Sequence, residues 1–321
     1  MEKPASTGSA DSFPHPELPP MVLIHVRQSP YSGVLENEVI AWMHEWGLLD
    51  DREKLDRVKN MDVGKYAGFS YPNGAYEDTL LYAKYITLWL LWDDFVVEKH
   101  ENLKEVGKAL HRIFSCSVLP GPFRENGYML AWRNIVSDLR DRNDSQEFFD
   151  RLAESMRIWV RTADLERRSV GNAVTGGFGK YLNRRMITIG MIPTAQLLET
   201  FAGTKLSDSR AIRGMVRVAC RIVGIANELV SFSKDTNWIN LVNVCSQING
   251  CGVHEARIKL IVIHNKSVQS LERMVRLSSG DIRTWGESLQ YCAEGFSYWH
   301  TVCPRYAGSN IGADVIDRSS L

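Results

Sequence analysis

Apolar residues recur in this chain at the spacing of a helix face almost from end to end, and that period most constrains what it can fold into. In Leu35–Gly47, Val39, Trp42, Met43 and Trp46 fall at i, i+3, i+4 and i+7, and the run stops at a glycine, a common C-terminal signal. The same reading predicts helices near residues 50–60, 75–99, 101–115, 122–142, 144–168, 180–203, 207–235, 253–277 and 280–302. The connections are short and carry breakers: Tyr71-Pro72-Asn73-Gly74, Pro120-Gly121-Pro122, and the stretch from Gly171 to Gly179. There is no alternating run of β-branched residues and no internal repeat. The expected fold is therefore all-α, a single domain of roughly ten helices over residues 21–310. The proline-rich residues 1–20 are expected to form a loose tail and residues 311–321 a second one.

Charge narrows the function. Lys and Arg together number 38, and so do Asp and Glu, so the formal net charge is zero. A nucleic-acid binder ordinarily carries a basic excess, and a membrane-surface binder a polybasic cluster. The longest apolar stretches, such as Ile86–Trp92, fall far short of the ~20 residues of a membrane span. The first residues, MEKPASTGSADSF, lack an apolar signal core. A cytoplasmic protein without nucleic-acid or membrane partners is the expectation. The six cysteines (116, 220, 245, 251, 292 and 303) show no CxxC pair and read as free, mostly buried thiols. Several catalytic signatures are missing. Thr175-Gly176-Gly177-Phe178-Gly179-Lys180 lacks the phosphate-loop frame and a preceding strand, His44-Glu45 has no second histidine four residues on, and no GxSxG elbow occurs.

Two oxygen-rich patterns remain. Asp93 and Asp94 directly follow the apolar run Tyr82–Trp92, with Glu98 four residues further on. Adjacent carboxylates beside a buried run repel one another and resist ionisation, and a divalent cation would offset that cost. The plain alternative is that they mark where the helix meets water. The second pattern is Asn227, Ser231 and Asp235, spaced four and four. Each step turns only ~40° on a helix, so the three oxygens form one stripe, with Lys234 nearly on it. Arg210, Arg213, Arg217 and Arg221 already supply this helix with a solvent face, so the stripe interrupts apolar surface. Amide, hydroxyl and carboxylate oxygens suit Mg²⁺, and the lysine suits a phosphate. As an isolated pattern, the stripe would also describe a solvated face.

Taken together, the patterns resemble a class I terpene synthase of the short, single-domain microbial type. Asp93-Asp94…Glu98 is similar to that family's aspartate-rich motif, and Asn227…Ser231…Lys234-Asp235 to its second metal motif. Trp299 with Arg305-Tyr306 matches its W-x5-RY ending. Tyr181 to Gly190 resembles the helix carrying a diphosphate-sensing arginine, for which Arg185 and Arg184 are both candidates, Arg185 fitting the tyrosine spacing better. The resemblance spans residues 20–306. Three departures stand out: Asp235 occupies a position usually held by Glu, Glu228 one usually held by Asp, and one extra residue precedes Glu98. On an ideal helix Asp93 and Glu98 lie ~140° apart, which favours Asp93 over Glu98 as a ligand.

The resemblance implies a helical bundle around a central cavity in which three Mg²⁺ ions help ionise a linear isoprenyl diphosphate, farnesyl diphosphate foremost. The carbocation then cyclises or rearranges to a hydrocarbon or alcohol. It implies Asp93, Asp94, Glu98, Asn227, Ser231 and Asp235 as metal ligands. Arg185, Lys234, Arg305 and Tyr306 would meet the leaving diphosphate, with Trp299 in the cavity. Aromatic faces would steer the cation, and Phe69, Trp89, Trp92 and Phe178 are candidate walls, each of which is also an ordinary core residue. The Ile189–Gly190 step would break the helix and turn a carbonyl toward the substrate. A monomer and a homodimer both remain open. The alternatives are a non-catalytic relative that binds prenyl diphosphate, and a chain-length prenyltransferase, which would carry a second DDxxD where this chain has Asn227-Glu228-Leu229-Val230-Ser231.

Overall fold

The computed structural model describes residues 17–97, 103–168, 177–233 and 240–316. Among these the chain forms thirteen α-helices and two three-residue strands, an all-α fold as the periodicity predicts. The helices are α1 (Ser32–Glu45), α2 (Arg52–Met61), α3 (Val63–Ser70), α4 (Tyr76–Trp92), α5 (Leu103–Cys116), α6 (Gly127–Arg140) and α7 (Gln146–Arg168). They continue with α8 (Gly177–Thr188), α9 (Met191–Phe201), α10 (Arg210–Ser231), α11 (Leu241–Asn249), α12 (Val253–Arg276) and α13 (Gly280–Val302).

The number exceeds ten for three reasons. The stretch near 180–203 is two helices, α8 and α9, parted at Gly190. Helix α3 was missed; it follows α2 after Asp62, which takes a left-handed backbone and redirects the chain between two short helices. Helix α11 was missed as well. Its N-cap is Asn240, whose side chain accepts from Val242 N at 2.8 Å.

Helices α4 and α10 carry the two oxygen-rich patterns, and each buries more than half of its residues. Helix α4 buries residues around its whole circumference, from Leu81 to Trp92. Helix α10 starts at a Ser209 cap, exposes Arg210, Arg213 and Arg217, and buries its other flanks against α8, α9, α12 and α13. Neither helix runs as far as expected. After Trp92 the chain widens into a π-helical turn, Asp93–Val97, so the wheel that set Asp93 ~140° from Glu98 no longer applies. Helix α10 stops at Ser231, and Phe232 and Ser233 lie in a turn. A physical reason is visible in the Asn240 side chain, which donates to the Glu228 carbonyl at 2.9 Å and occupies an acceptor of the last turn.

Residues 311–316, expected as a tail, are drawn back onto the body. Strand β2 (Ala313–Val315) pairs in parallel with β1 (Met21–Leu23), and Ile311 is buried. Side chains tie β1 to the bundle: Asn265 of α12 accepts from Val22 N, and Glu294 of α13 accepts from the amides of Ile24 and His25. The proline-rich residues 1–16 lie outside the described residues.

Candidate active site

The end of α4, the end of α10, the middle of α8 and the turn after α13 converge on one polar network. Asp94, 8% exposed, sits in the π-helical turn. Both its oxygens accept from Arg305, Nη1 and Nη2 at 3.0 Å each, in a bidentate pair. Arg57 of α2 adds a second guanidinium 3.5 Å from Asp94 Oδ2. Burial works against the Arg305 charge, but Tyr306 and Asp94 beside it hold the guanidinium further up than an ordinary arginine. Asp93 is half-buried, and its charge is felt by both Arg305 and Arg185.

Arg185 crosses from α8 to α10. Its Nη2 donates to Asn227 Oδ1, its Nη1 to Thr188 Oγ1 at 3.3 Å, and its Nε lies 2.7 Å from Glu228 Oε1. Burial again opposes the charge, and the carboxylates of Glu228 and Glu166 more than offset it. Arg184 points elsewhere, 3.9 Å from Glu166 and over the Tyr181 ring. Asn227 in turn donates from Nδ2 to His300 Nε2 at 2.9 Å and to the Tyr306 hydroxyl at 3.3 Å. Burial and then the Arg185 and Arg305 charges push His300 well below the usual imidazole range. With the Asn227 amide N–H₂ facing it, Nε2 is placed to accept. Asp94, Arg305, Tyr306, Asn227, Arg185 and Glu228 thus form one continuous chain of contacts. Ser231 is buried one turn beyond Asn227, 3.5 Å from Asn240 Nδ2.

Below this network lies an aromatic cluster. The Trp89 and Trp159 ring centroids are 4.3 Å apart, Trp92 is 5.7 Å from Trp159 and 5.6 Å from Trp132, and Tyr85 flanks Trp89 at 5.7 Å. Trp159 Nε1 donates to the Thr188 carbonyl at 2.8 Å, just ahead of the helix break. At the break Gly190 has φ +79°, and a Cβ there would come within 2.9 Å of Trp89 Cζ2. The Gly190 carbonyl already accepts from Thr194 N and Oγ1. Ile189 differs: its helical partner would be residue 193, a proline without an N–H, and among the described residues no backbone amide donates to its carbonyl.

The other expected residues are distributed unevenly. Trp299 is fully buried, stacked on Tyr66 at 4.3 Å, edge-on to Tyr306, and donates from Nε1 to Met61 O at 2.8 Å. It packs behind the Arg305-Tyr306 turn. Phe69 meets Tyr298 rather than the tryptophan cluster, and Phe178 is half-buried at the start of α8. Glu98, Lys234 and Asp235 lie outside the described residues. Sequence reasoning missed His300, Arg57, Trp132 and Trp159. Only His300 left a trace, one residue after Trp299 and four after Phe296, on whose ring it stacks at 4.6 Å.

An all-helical bundle with two facing polar motifs above an aromatic cluster defines the class I terpenoid type of fold. The match with known proteins makes it specific: residues 84–270 fit the family model described as terpene synthase family 2, C-terminal metal binding, and the chain belongs to that family. It is 24% identical to a sesquiterpene synthase of Metarhizium brunneum over 91% of this chain and 89% of the relative. It is 20% identical to a 4-epi-cubebol synthase of Streptosporangium roseum, described as cyclising (2E,6E)-farnesyl diphosphate, covering 94% of this chain and 96% of the relative. Among solved structures, a linalool/nerolidol synthase from Streptomyces clavuligerus superimposes with a TM-score of 0.76 at 19% identity, covering 85% of this chain and all of the other, which speaks for the fold. The protein is a terpene synthase with a metal-binding domain. No helix among the described residues is long and apolar enough to cross a membrane.

Proposed function

We propose that this terpene synthase ionises a linear isoprenyl diphosphate, farnesyl diphosphate foremost, in the cytoplasm. It then cyclises or rearranges the carbocation to a hydrocarbon or alcohol and releases diphosphate. The observation that carries this reading is the continuous network from Asp94 through Arg305, Tyr306, Asn227 and Arg185, which gathers two guanidiniums and a phenol between two oxygen-rich helix ends.

The donor set fits Mg²⁺. Among the described residues no three His, Cys, Asp or Glu side chains cluster around one point. The hard oxygens are instead divided between Asp93 and the Asn227–Ser231 pair, an arrangement that substrate phosphate oxygens would complete. Three Mg²⁺ ions, when bound, supply charge neutralisation for the leaving diphosphate. Asp93, Asn227 and Ser231 would hold them, with Asp235 and Glu98 as further candidates.

The chain's own residues do the rest. Arg305 leaves Asp94 for the diphosphate or shares itself between them, Tyr306 donates its hydroxyl, Arg185 turns its Nη edge to the phosphate oxygens, and Lys234 adds a compact charge. Trp299 supports Tyr306 from behind. Trp89 offers a ring face to the cation, Trp92 and Trp159 pack behind it and help keep water away, and the Ile189 carbonyl is a backbone dipole available to it.

The test is incubation with geranyl, farnesyl and geranylgeranyl diphosphates, with and without Mg²⁺, reading products by gas chromatography–mass spectrometry and diphosphate by release assay. Expected are a cyclic or rearranged product from farnesyl diphosphate, its loss in excess chelator and its return on adding Mg²⁺. Tight binding without diphosphate release would make the chain a non-catalytic relative. Undiminished turnover in chelator would remove the metal from the reading.

A further inference from the structure

Glu228 takes no part in the metal stripe. It is one residue, ~100° of helix, past Asn227, and so faces the flank where α8 and α11 meet α10. It is 4% exposed, and a carboxylate buried that deeply must be paired to persist. Its pairing is divided. Oε1 lies 2.7 Å from Arg185 Nε; Oε2 accepts from the Tyr181 hydroxyl at 3.1 Å and from Leu241 N, the first amide of α11, at 2.6 Å. Its carbonyl accepts from Asn240. One side chain therefore joins α8, α10 and the start of α11.

The division has a consequence for Arg185. A guanidinium presents Nε–H on one edge and the two Nη groups on another. Glu228 Oε1 lies against the Nε side as an ion pair, without a directed hydrogen bond from Nε. The Nη edge is left on Asn227 Oδ1 and Thr188 Oγ1, two neutral acceptors that a diphosphate would outcompete. If Asn227 Oδ1 is to serve a metal ion, Arg185 Nη2 has to let go of it. A guanidinium freed of every partner would lose its aim; one kept beside a buried carboxylate keeps its place.

We propose that Glu228 is a positioning residue for the leaving diphosphate, holding Arg185 in place by their buried charge pairing so that its Nη edge can pass from Asn227 to the substrate. The extra methylene relative to aspartate is what lets one carboxylate reach α8 and α11 together. This rests on the function proposed above.

Two variants separate charge from packing. Glu228→Gln keeps the shape and removes the charge, placing an N–H₂ opposite Arg185 Nε or Leu241 N. Glu228→Asp keeps the charge and withdraws it by one methylene. A positioning role predicts Gln the worse: kcat for diphosphate release lower by about 100-fold with KM within about threefold, against about tenfold in kcat for Asp. A packing role alone reverses that order, because Asp creates the cavity. Tyr181→Phe, which deletes one hydroxyl from the same carboxylate, should cost about threefold in kcat, and it serves together with Glu228→Asp if the Gln variant fails to fold. The idea is overturned if Glu228→Gln matches the wild type or exceeds Glu228→Asp, or if Glu228→Asp and Tyr181→Phe both match the wild type. Calorimetric titration with Mg²⁺ and inorganic pyrophosphate gives a readout free of turnover, with about tenfold weaker binding expected for Glu228→Gln and equal binding counting against it. A wild type that binds pyrophosphate but releases none from any prenyl diphosphate would sink the proposed reaction and leave the Glu228 comparison standing.

Discussion

The two halves of the site are built on opposite terms. In the polar half every strong contact joins different parts of the chain: Asp94 to Arg305, Arg185 to Asn227 and Glu228, Asn227 to His300 and Tyr306. Such pairs can be exchanged for contacts to an anion at little net cost, because one charge-assisted bond replaces another. In the aromatic half, Trp92, Trp132 and Trp159 are within 1% of complete burial, and among the described residues the indole N–H groups of Trp92 and Trp132 have no acceptor. Close packing tolerates that loss and permits little rearrangement. On the proposed function, the contrast gives the moving part of the chemistry, departure of the diphosphate, to the exchangeable half and shielding of the cation to the fixed half.

Removing a guanidinium from the exchangeable half should give the largest effect. Arg305→Ala is expected to lower kcat/KM by about 1000-fold, far beyond any loss of folded protein, since Arg57 still faces Asp94. Arg305→Lys keeps the charge but forfeits the bidentate fork, and should recover only about tenfold of that. Steady-state kinetics beside thermal melting checks both, and an unchanged kcat/KM for Arg305→Ala would take the residue out of the site.

The same contrast explains what could be read from the sequence. Asp93, Asp94, Asn227 and Ser231 announce themselves because a polar group beside apolar helix surface breaks a period, and spacing then locates it, whereas Arg305 and Tyr306 were legible only through the family resemblance of the chain's ending. The fixed half gives no such break: Trp132 and Trp159 are apolar residues on apolar faces, and only tertiary packing brings them to Trp89. Glu228 was legible as a departure but not as a clamp, because its partners lie 43 residues before it and 13 after it. Helix α3 was lost for a different reason. Gly64 and Gly68 weaken its helical pattern, yet a Cβ on either would collide with Ser32, so they are there to let α1 approach. The axial phase failed at Asp93–Val97, where the π-helical turn departs from the ideal α-helix on which all such wheels rest.

The boundary between the halves is Gly190, and Gly190→Ala tests how fixed the fixed half is. A left-handed backbone costs a non-glycine residue about 1–2 kcal/mol, and the new Cβ must displace the Trp89 ring. A fall of several degrees in Tm, about tenfold in kcat and a changed product ratio are expected. If the product ratio holds while Tm falls, the ring of Trp89 does not face the cation. Combining the change with Trp89→Leu should return part of the stability, since the smaller side chain relieves the collision.

The smallest effect concerns acid, and it separates burial from charge. His264 of α12 is fully buried, and burial pushes its imidazole down to about 4 from 6.5. The unfolded chain therefore binds more protons than the folded one between those values, so stability contributed by the neutral form is complete above pH 6.5 and is lost as pH falls toward 4. The shift corresponds to about 3 kcal/mol at its limit. Glu294, raised by burial, acts with the opposite sign: its folded form holds a proton longer, and it costs stability as pH rises above 4.5. His300 is pushed down as well, but there the Arg185 and Arg305 charges contribute in addition to burial. Melting temperature measured from pH 7.5 to 4.5 should fall toward acid, and His264→Asn should flatten the slope below pH 6.5. Bound pyrophosphate with Mg²⁺ should leave the His264 share untouched, because burial, partly offset by the Asn265 hydrogen bond, sets it and no charge of the site contributes. It should alter only the remainder, where His300 answers to guanidiniums that the ligand engages. An acid slope in His264→Asn equal to that of the wild type would assign the acid sensitivity to the polar half of the site.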